Sequence, residues 1–513
     1  MGVASVWGFA IVGIEAVPVR VEAHARNGLP GVTIVGLPGA AVREARERVR
    51  SGAASSGLSL PNRRITINLS PGDVPKDGPG LDLPVALATL AACGQVPAEC
   101  LREVGAVGEL SLEGVVRSTR GVLSVAESAT AVGVRLLITS VEALPAAAEV
   151  SNVPVVGVRS LAEAVLVAKD ARWCARAIDR GTRWSRMRTA APKPAPDQVD
   201  LAEVVGLHQA KRALEIVAAG GHHLLMVGPP GAGKTMLARR LAGILPALTR
   251  EEAVAVTRVW SAAGLHGAKS GLVACRPFRA PHHTASRAAL VGGGAVLRPG
   301  EVSLAHHGVL FLDELPEFSR DALEALRQPL EEGRVIISRR AGTSVFPADC
   351  TLVAAMNPCP CGYLGHPEKA CRCAASAVER YRARISGPLL DRVEALIEVP
   401  PLTLSALDRA AEAEPSSVVR ARVTAARAFR EQRMTSGDTT ATGELGTRAS
   451  LTVEARRLLR EALVRGGLSG RGYVRVIELA RTIADLDQVA QVGAEHVAEA
   501  LALRLDYRRE GFI

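Results

Sequence analysis

Gly228–Thr235 reads GPPGAGKT, and it stands between two unlike segments. The apolar run Leu224–Val227 precedes it, and the helix-forming MLARRLAGIL follows. This is G-x-x-x-x-G-K-[ST] with a strand in front and a helix behind. Glycines let successive backbone N–H groups curl around a phosphate, and the helix N-terminus adds partial positive charge. The stretch therefore sets an α/β P-loop core. Its eight residues, Gly228, Pro229, Pro230, Gly231, Ala232, Gly233, Lys234 and Thr235, are the expected ATP-binding loop. Lys234 is expected to reach the terminal phosphates, and the Thr235 hydroxyl to ligate Mg²⁺.

Such a loop needs an acidic partner, and GVLFLDEL (Gly308–Leu315) supplies one. Four apolar residues make a buried strand that delivers Asp313 and Glu314 at its end. Asp313 is expected to hold Mg²⁺ with Thr235, and Glu314 to activate the attacking water. An acidic pair after a strand is by itself usually a solvated loop; the glycine loop upstream changes its meaning. A third apolar strand, Thr351–Met356, ends in Asn357, a polar group for the γ-phosphate or the lytic water. Then follows YRARISGPLLDRVE, Tyr381–Glu394. An arginine supplied by a neighbouring subunit contributes about 10³–10⁵ to phosphoryl transfer. Arg392 is the first candidate and Arg384 the second; the bland reading of either is a surface ion pair. Arg471, in LSGRGYVRVIELARTIADL, opens a helix placed to close over the nucleotide.

The whole chain has 513 residues, enough for two to four domains. Aromatics are only 3%, so its cores must be packed from Ala, Val and Leu. Lys and Arg outnumber Asp and Glu by 62 to 52. That balance suits a nucleic-acid partner, and equally an arginine-rich solvated surface. No apolar run approaches the roughly 20 residues of a membrane helix, and the opening run Val6–Ile14 lacks a basic flank. A cytoplasmic protein with no membrane partner is expected.

Residues 1–170 alternate short apolar runs with Gly/Pro turns, an α+β pattern. Val32–Leu37, Arg63–Ser70 and Leu136–Ser140 read as strands, Val42–Val49 and Leu83–Ala92 as helices. Residues 171–200 carry seven basic against three acidic groups and end in APKPAPD, a Pro-rich linker that is either a solvated tether or a strap along DNA. Residues 201–400 hold the P-loop core. Residues 401–513 are helical, with periodic segments Ser416–Met434, Thr452–Gly466, Val474–Asp487 and Ala494–Tyr507.

Four of the nine cysteines crowd into NPCPCGYLGHPEKACRC: Cys359, Cys361, Cys371 and Cys373. Four thiolates in one short loop of a protein from a reducing compartment point to a tetrahedral metal site, with Zn²⁺ the first choice. C-x-C pairs are less typical than C-x-x-C; His366 as a ligand, an iron–sulfur cluster and an inert loop remain open. A structural role predicts that chelation lowers stability or assembly and leaves nucleotide contacts untouched.

These motifs, in this order, resemble the AAA+ ATPases, and more narrowly the magnesium-chelatase-like YifB/ComM family. The resemblance spans nearly the whole chain through NLSPGDVPKDGPGLDLPVAL, GPPGAGKT, FRAPHHTAS, GGGAVLRPGEVSLAHHGVLFLDELPEF, ISGPLLDR and ARTIADL. It implies that Asn357 is sensor 1, Arg392 the finger acting across subunits and Arg471 sensor 2. It also implies an all-α C-terminal lid over residues 401–513 and a hexameric DNA helicase that migrates branches in recombination or natural transformation. PKDGPGLDLP (Pro75–Pro84) resembles the active-site loop PKDGPS of Lon-type serine–lysine proteases, and this resemblance implies the Lon-protease (ribosomal S5 domain 2-like) fold for residues 1–170. The nucleophile's slot holds Gly80, there to serve a tight turn, and the lysine's slot, at the end of GELSLEGVVRSTRGVL, holds Leu123. Ser70 and Lys76 do not sit at the family positions, so no protease is expected.

The same resemblance makes Pro329–Asn357 a hairpin ahead of sensor 1, with RVIIS and TSVFP as strands and Arg339 and Arg340 at a tip facing single-stranded DNA. A solvated turn is the alternative. Arg279, His282 and His283 of PFRAPHHTAS are further candidates for DNA or a neighbouring subunit. Adjacent histidines suggest polar contacts ahead of metal, because no carboxylate lies at ligand spacing. Two other functions compete: a chelatase motor working with partner subunits, and a protein-remodelling ATPase. DNA stimulation of ATP hydrolysis separates both from a DNA motor.

Overall fold

Glu15–Arg26 (EAVPVRVEAHAR) turns Val19, Val21, Ala23 and Ala25 inward in strict alternation, as one buried sheet face requires. It pairs antiparallel with Val3–Val12 across a turn at Gly13, where φ is +66°. The opening apolar run is thus half of a hairpin. In the computed structural model, residues 3–170, 172–179, 199–266, 271–294, 297–339, 342–401, 414–435, 451–464 and 469–504 are described.

The chain divides into two units. One comprises Met1–Lys193, Thr249–Ala274 and Ile336–Phe346; the other comprises Pro194–Leu248, Cys275–Val335 and Pro347–Ile513. The first unit is built on a mixed seven-stranded sheet. Its order is Gly31–Val35, Arg64–Ser70, Glu15–Arg26, Val3–Val12, Val104–Ala106, Leu136–Ser140, Val155–Val158. The helix Asp82–Ala92 is buried over nearly its whole length, as a helix apolar on all sides must be. It carries Asp82, fully buried, into a bidentate pair with Arg48 (Nε–Oδ2 2.6 Å, Nη2–Oδ1 3.0 Å), and the Leu110 N–H also donates to Asp82. Burial nevertheless leaves the Asp82 carboxyl above its ordinary range. The helix Arg250–Ala263 belongs to this unit, opened by a Thr249/Glu252 capping box. Arg258 ties it to Glu15 and Glu127 at 3.0 and 2.8 Å.

Several details of the PKDGPGLDLP loop differ from expectation. The left-handed residue is Gly78 (φ +87°), whereas Gly80 lies in the 3₁₀ turn Pro79–Leu81 without a positive φ. A Cβ at Gly80 would meet nothing closer than Thr119 Oγ1 at 3.5 Å, so the turn does not demand glycine there. Leu123 is buried in the helix Val122–Ser128. Lys76 is buried too, donating to the Pro71 carbonyl, and burial lowers its amine's pKa. Within the basic stretch, residues 172–179 are helical, and Ala177 is buried in the first unit's core. The rest of that stretch to residue 198 lies outside the described residues.

The second unit holds a parallel sheet ordered Phe278–Arg279, Val309–Leu312, Thr351–Met356, Leu224–Val227, Ala395–Glu398. Three of its strands are buried at every position, which is why they read as unbroken apolar runs. The asparagine-bearing strand lies between the P-loop strand and the acidic strand. All three therefore deliver their next residues to one edge, where open α/β sheets bind ligands. The helices Ser416–Thr435, Val453–Val464, Gly470–Leu486 and Ala494–Ala502 share one core with this sheet, through Val423, Leu459, Ile483 and Val497. The third begins four residues earlier than its periodicity suggested, because Ser469 caps it and accepts from the Gly472 N–H.

Candidate functional site

The P-loop is shaped by close approach and by backbone sign. A Cβ on Gly228 would lie 2.2 Å from the Val399 carbonyl oxygen, so no other residue fits. Gly233 takes φ +90° and hands the chain into the helix Lys234–Ile244. Lys234 is 8% exposed. Its ammonium donates to the carbonyls of Gly228 (2.6 Å) and Pro229 (2.9 Å) and to Asn357 Oδ1 (3.2 Å). Desolvation lowers its pKa, and Asp313 and Glu314 oppose that shift.

Thr235 Oγ1 donates to Asp313 Oδ2 at 2.6 Å, while Asp313 Oδ1 accepts from the Glu314 N–H at 2.9 Å. Two hard oxygen donors, a hydroxyl and a carboxylate, thus sit together at the mouth of the loop, a set that fits Mg²⁺. Glu314 adopts a left-handed conformation (φ 53°), which turns its side chain off the strand's alternation. Its carboxylate lies 3.1 Å from His283 Nδ1. The structure thus brings together Lys234, Thr235, Asp313, Glu314 and Asn357, and adds His283. Sequence spacing placed no carboxylate near the histidine pair; the fold brings one from 31 positions away, and no local signal announces it.

The other candidates are spread more widely. Arg279 makes a bidentate pair with Glu301 (2.6 and 2.8 Å), which occupies its fork. His282 contacts Thr284 Oγ1 at 3.0 Å and lies ring to ring with His283. Arg334–Arg339 and Gly342–Pro347 form the expected hairpin strands, but the Arg339 side chain and Arg340 lie outside the described residues. Arg384 pairs with Glu317 at 3.0 Å. Arg392 pairs with Glu331 and donates to the Pro388 carbonyl, while its buried Nε has no hydrogen-bond partner among the described residues. Arg392 and Arg471 line one cleft of about 350 Å³ with Glu331, Asp391, Arg475 and Glu478. Arg471 reaches Asp391 Oδ2 at 3.4 Å and is otherwise exposed.

Arg475 was not foreseen. It bonds Glu478 (2.8 Å) and the buried Glu394 (2.7 Å), whose other oxygen accepts from the His223 N–H. Desolvation would raise Glu394, yet His223, His222 and Arg475 hold it below its ordinary value. Beside it, His222 meets Thr482 Oγ1 at 2.7 Å, and desolvation pushes its imidazole from 6.5 down to about 4. The unfolded chain therefore takes up a proton here near pH 6.5, and the folded chain does so only near 4. Stability is expected to fall as pH drops through that window, by on the order of 3 kcal/mol. Thermal melts of the native chain and of His222→Gln check this: the variant should lose part of the acid sensitivity, and identical pH profiles would contradict the assignment.

The four cysteines converge, with every sulfur within 4.8 Å of the others. Cys359, Cys361 and Cys371 sulfurs are 3.4–3.6 Å apart. Four Zn–S bonds near 2.3 Å set sulfurs about 3.8 Å apart, so the cluster is close to a closed tetrahedral site. The N–H groups of Arg372 and Tyr363 hold the Cys361 thiol down to about 6. His366 is not part of the cluster; its Nδ1 accepts from the N–H groups of Glu368 and Lys369.

The family model "Magnesium chelatase, subunit ChlI" matches residues 200–407. "Subunit ChlI of Mg-chelatase" matches 21–143, and the ChlI C-terminal model matches 413–504. A protein called YifB from Salmonella typhimurium is 41% identical over 98% of this chain and 97% of its own length. The competence protein ComM of Haemophilus influenzae is 41% identical over 98% of both. A magnesium-chelatase 67 kDa subunit from Chlorobaculum parvum is 30% identical over 30% of this chain and 23% of its own length. The architecture is mixed α/β with an AAA-type chelatase core, and ATPase activity is what such a core implies. No described helix is long and apolar enough to cross a membrane. At 41% identity over almost its full length, the chain belongs to the YifB/ComM family of magnesium-chelatase-like proteins.

Proposed function

We propose that this protein is a cytoplasmic, hexameric ATP-driven motor that acts on single-stranded or branched DNA, with a role in recombination or natural transformation. The observation that carries the ATPase half is the convergence of Lys234, Thr235, Asp313, Glu314 and Asn357 at one sheet edge. Lys234 neutralises the terminal phosphates, Thr235 and Asp313 share the cation, and Glu314 takes the proton of the attacking water. Asn357 acts as sensor 1. Arg392, at a cleft with Arg471 and with a buried Nε that finds no hydrogen-bond partner among the described residues, is read as the finger for a neighbouring subunit's nucleotide, and Arg471 as sensor 2. The helices after residue 413 act as the lid. The four-cysteine cluster is read as a structural zinc site.

The DNA half rests on the likeness to a competence protein and on the net charge of +10. Arg339 and Arg340 remain candidates at the hairpin tip, and Arg279, His282 and His283 for DNA or a subunit contact. Residues 1–170 are read as a Lon-like scaffold without protease activity, because glycine at position 80 and leucine at 123 supply no nucleophile and no base. A second reading, a chelatase or remodelling motor that ignores DNA, draws on the ChlI match at 200–407. Steady-state ATP hydrolysis alone, with single-stranded DNA and with a branched duplex separates them. Stimulation by DNA is the expected result; a robust rate indifferent to every DNA would favour the second reading.

A further inference from the structure

The cysteine loop is one wall of the phosphate site. Gly362, between Cys361 and the rest of the loop, takes φ +82°. A Cβ there would lie 2.6 Å from Cδ and 2.7 Å from Cγ of Pro230, the third residue of the P-loop, and 3.7 Å from Asn357 Cγ. The glycine's backbone is therefore seated directly on the loop that would wrap the phosphates. Pro358, Leu364, Gly365 and His366 close around Val227, Gly228 and Pro229 to leave a crevice of only about 20 Å³. The chain enters the cysteine loop two residues after Asn357, whose Oδ1 is held by Lys234. Cys359 is fully buried, and the Gly362 N–H donates back to its carbonyl at 3.0 Å. Nothing loose separates the sulfurs from Pro230: the path is Cys361, Gly362, van der Waals contact.

We propose that a zinc ion held by Cys359, Cys361, Cys371 and Cys373 sets the shape of the phosphate loop through the seat of Gly362 on Pro230, so that metal loading and nucleotide affinity are coupled. This rests on reading the cluster as a zinc site and the loop as an ATP site. It revises the expectation from spacing alone, that chelation leaves nucleotide contacts untouched. A metal bound by all four sulfurs, which lie within 4.8 Å of one another, would tie the two ends of the loop together, and a loop freed to spread would no longer press Pro230 into place. Coupling of this kind is reciprocal: whatever zinc does for nucleotide affinity, nucleotide does for zinc retention.

The test uses the full-length chain in three states: zinc-loaded, stripped with a high-affinity chelator, and reloaded with zinc alone. Zinc content, far-ultraviolet circular dichroism and binding of a fluorescent ATP analogue are measured for each. One zinc per chain is expected, with roughly tenfold weaker nucleotide binding after stripping, restored on reloading. ATP should tighten zinc binding, read at equilibrium against a chromophoric chelator, by the same factor. Gly362→Ala is the second arm, for the case in which the stripped chain unfolds. It should keep its zinc and still bind nucleotide several-fold more weakly. A folded, stripped chain with unchanged affinity, or Gly362→Ala with unchanged affinity, would overturn the coupling. A chain that binds nucleotide but never zinc would overturn the metal reading alone, and a zinc-loaded chain that binds no nucleotide would overturn the ATP reading.

Discussion

Lys234→Ala is expected to lower ATP turnover by about 10²–10³-fold, the loss typical when one preorganised donor to developing charge is removed. The geometry sets that size. The ammonium is nearly buried, bonded to two P-loop carbonyls and to Asn357, and faced by Asp313 and Glu314. A phosphate arriving here meets a cation already desolvated, so little reorganisation is needed when charge develops. Alanine removes the charge and leaves the Gly228 and Pro229 carbonyls pointing at an anion. Nucleotide binding should therefore weaken along with turnover, while the helix Lys234–Ile244 tolerates alanine and the melting temperature changes little. A variant that hydrolyses ATP within about threefold of the native rate would contradict the role, since general surface positions have effects no larger.

Glu314→Gln should separate binding from chemistry. Glu314 is the second carboxylate at this edge, and the Asp313 oxygens are already engaged by Thr235 and the Glu314 N–H. Loss of a general base costs about 10²–10⁴-fold in rate. Glutamine keeps the size and the left-handed backbone but cannot take a proton. The expected outcome is a chain that binds the fluorescent ATP analogue as tightly as the native protein and turns over at most about a hundredth as fast. Its contact with His283, 3.1 Å away, changes from charged to neutral without being lost. Hydrolysis near the native rate would move the base to another residue; lost binding would make Glu314 a structural group.

The parts of the fold legible in the sequence are those in which burial imposes a run. Leu224–Val227 and Thr351–Met356 are fully buried parallel strands, and their bounds coincide with the apolar runs. The P-loop was legible because its glycines answer to backbone needs that no other residue meets. Other elements carried signals that single runs do not show. Glu15–Arg26 alternates with period two from Val19 to its end, yet its polar half hides it from a search for apolar stretches. The Thr249/Glu252 capping box marks a helix start that could have been read. The contacts of His283 with Glu314 and of Arg475 with Glu394 could not, because each joins residues far apart in sequence, the first through strand order and the second through the packing of the helix Gly470–Leu486 beside the sheet. The same holds for Gly362 against Pro230. In the sequence Gly362 is simply the residue after Cys361, and only the folded chain reveals what it touches.

The most direct measurement is displacement of a labelled strand from a branched DNA, with ATP, with a non-hydrolysable analogue, and with Glu314→Gln in ATP. A DNA motor built on this site predicts displacement with ATP in the native protein alone. The analogue and the variant should leave the branch intact while still binding it. Brisk ATP hydrolysis with every DNA branch left intact would contradict the account.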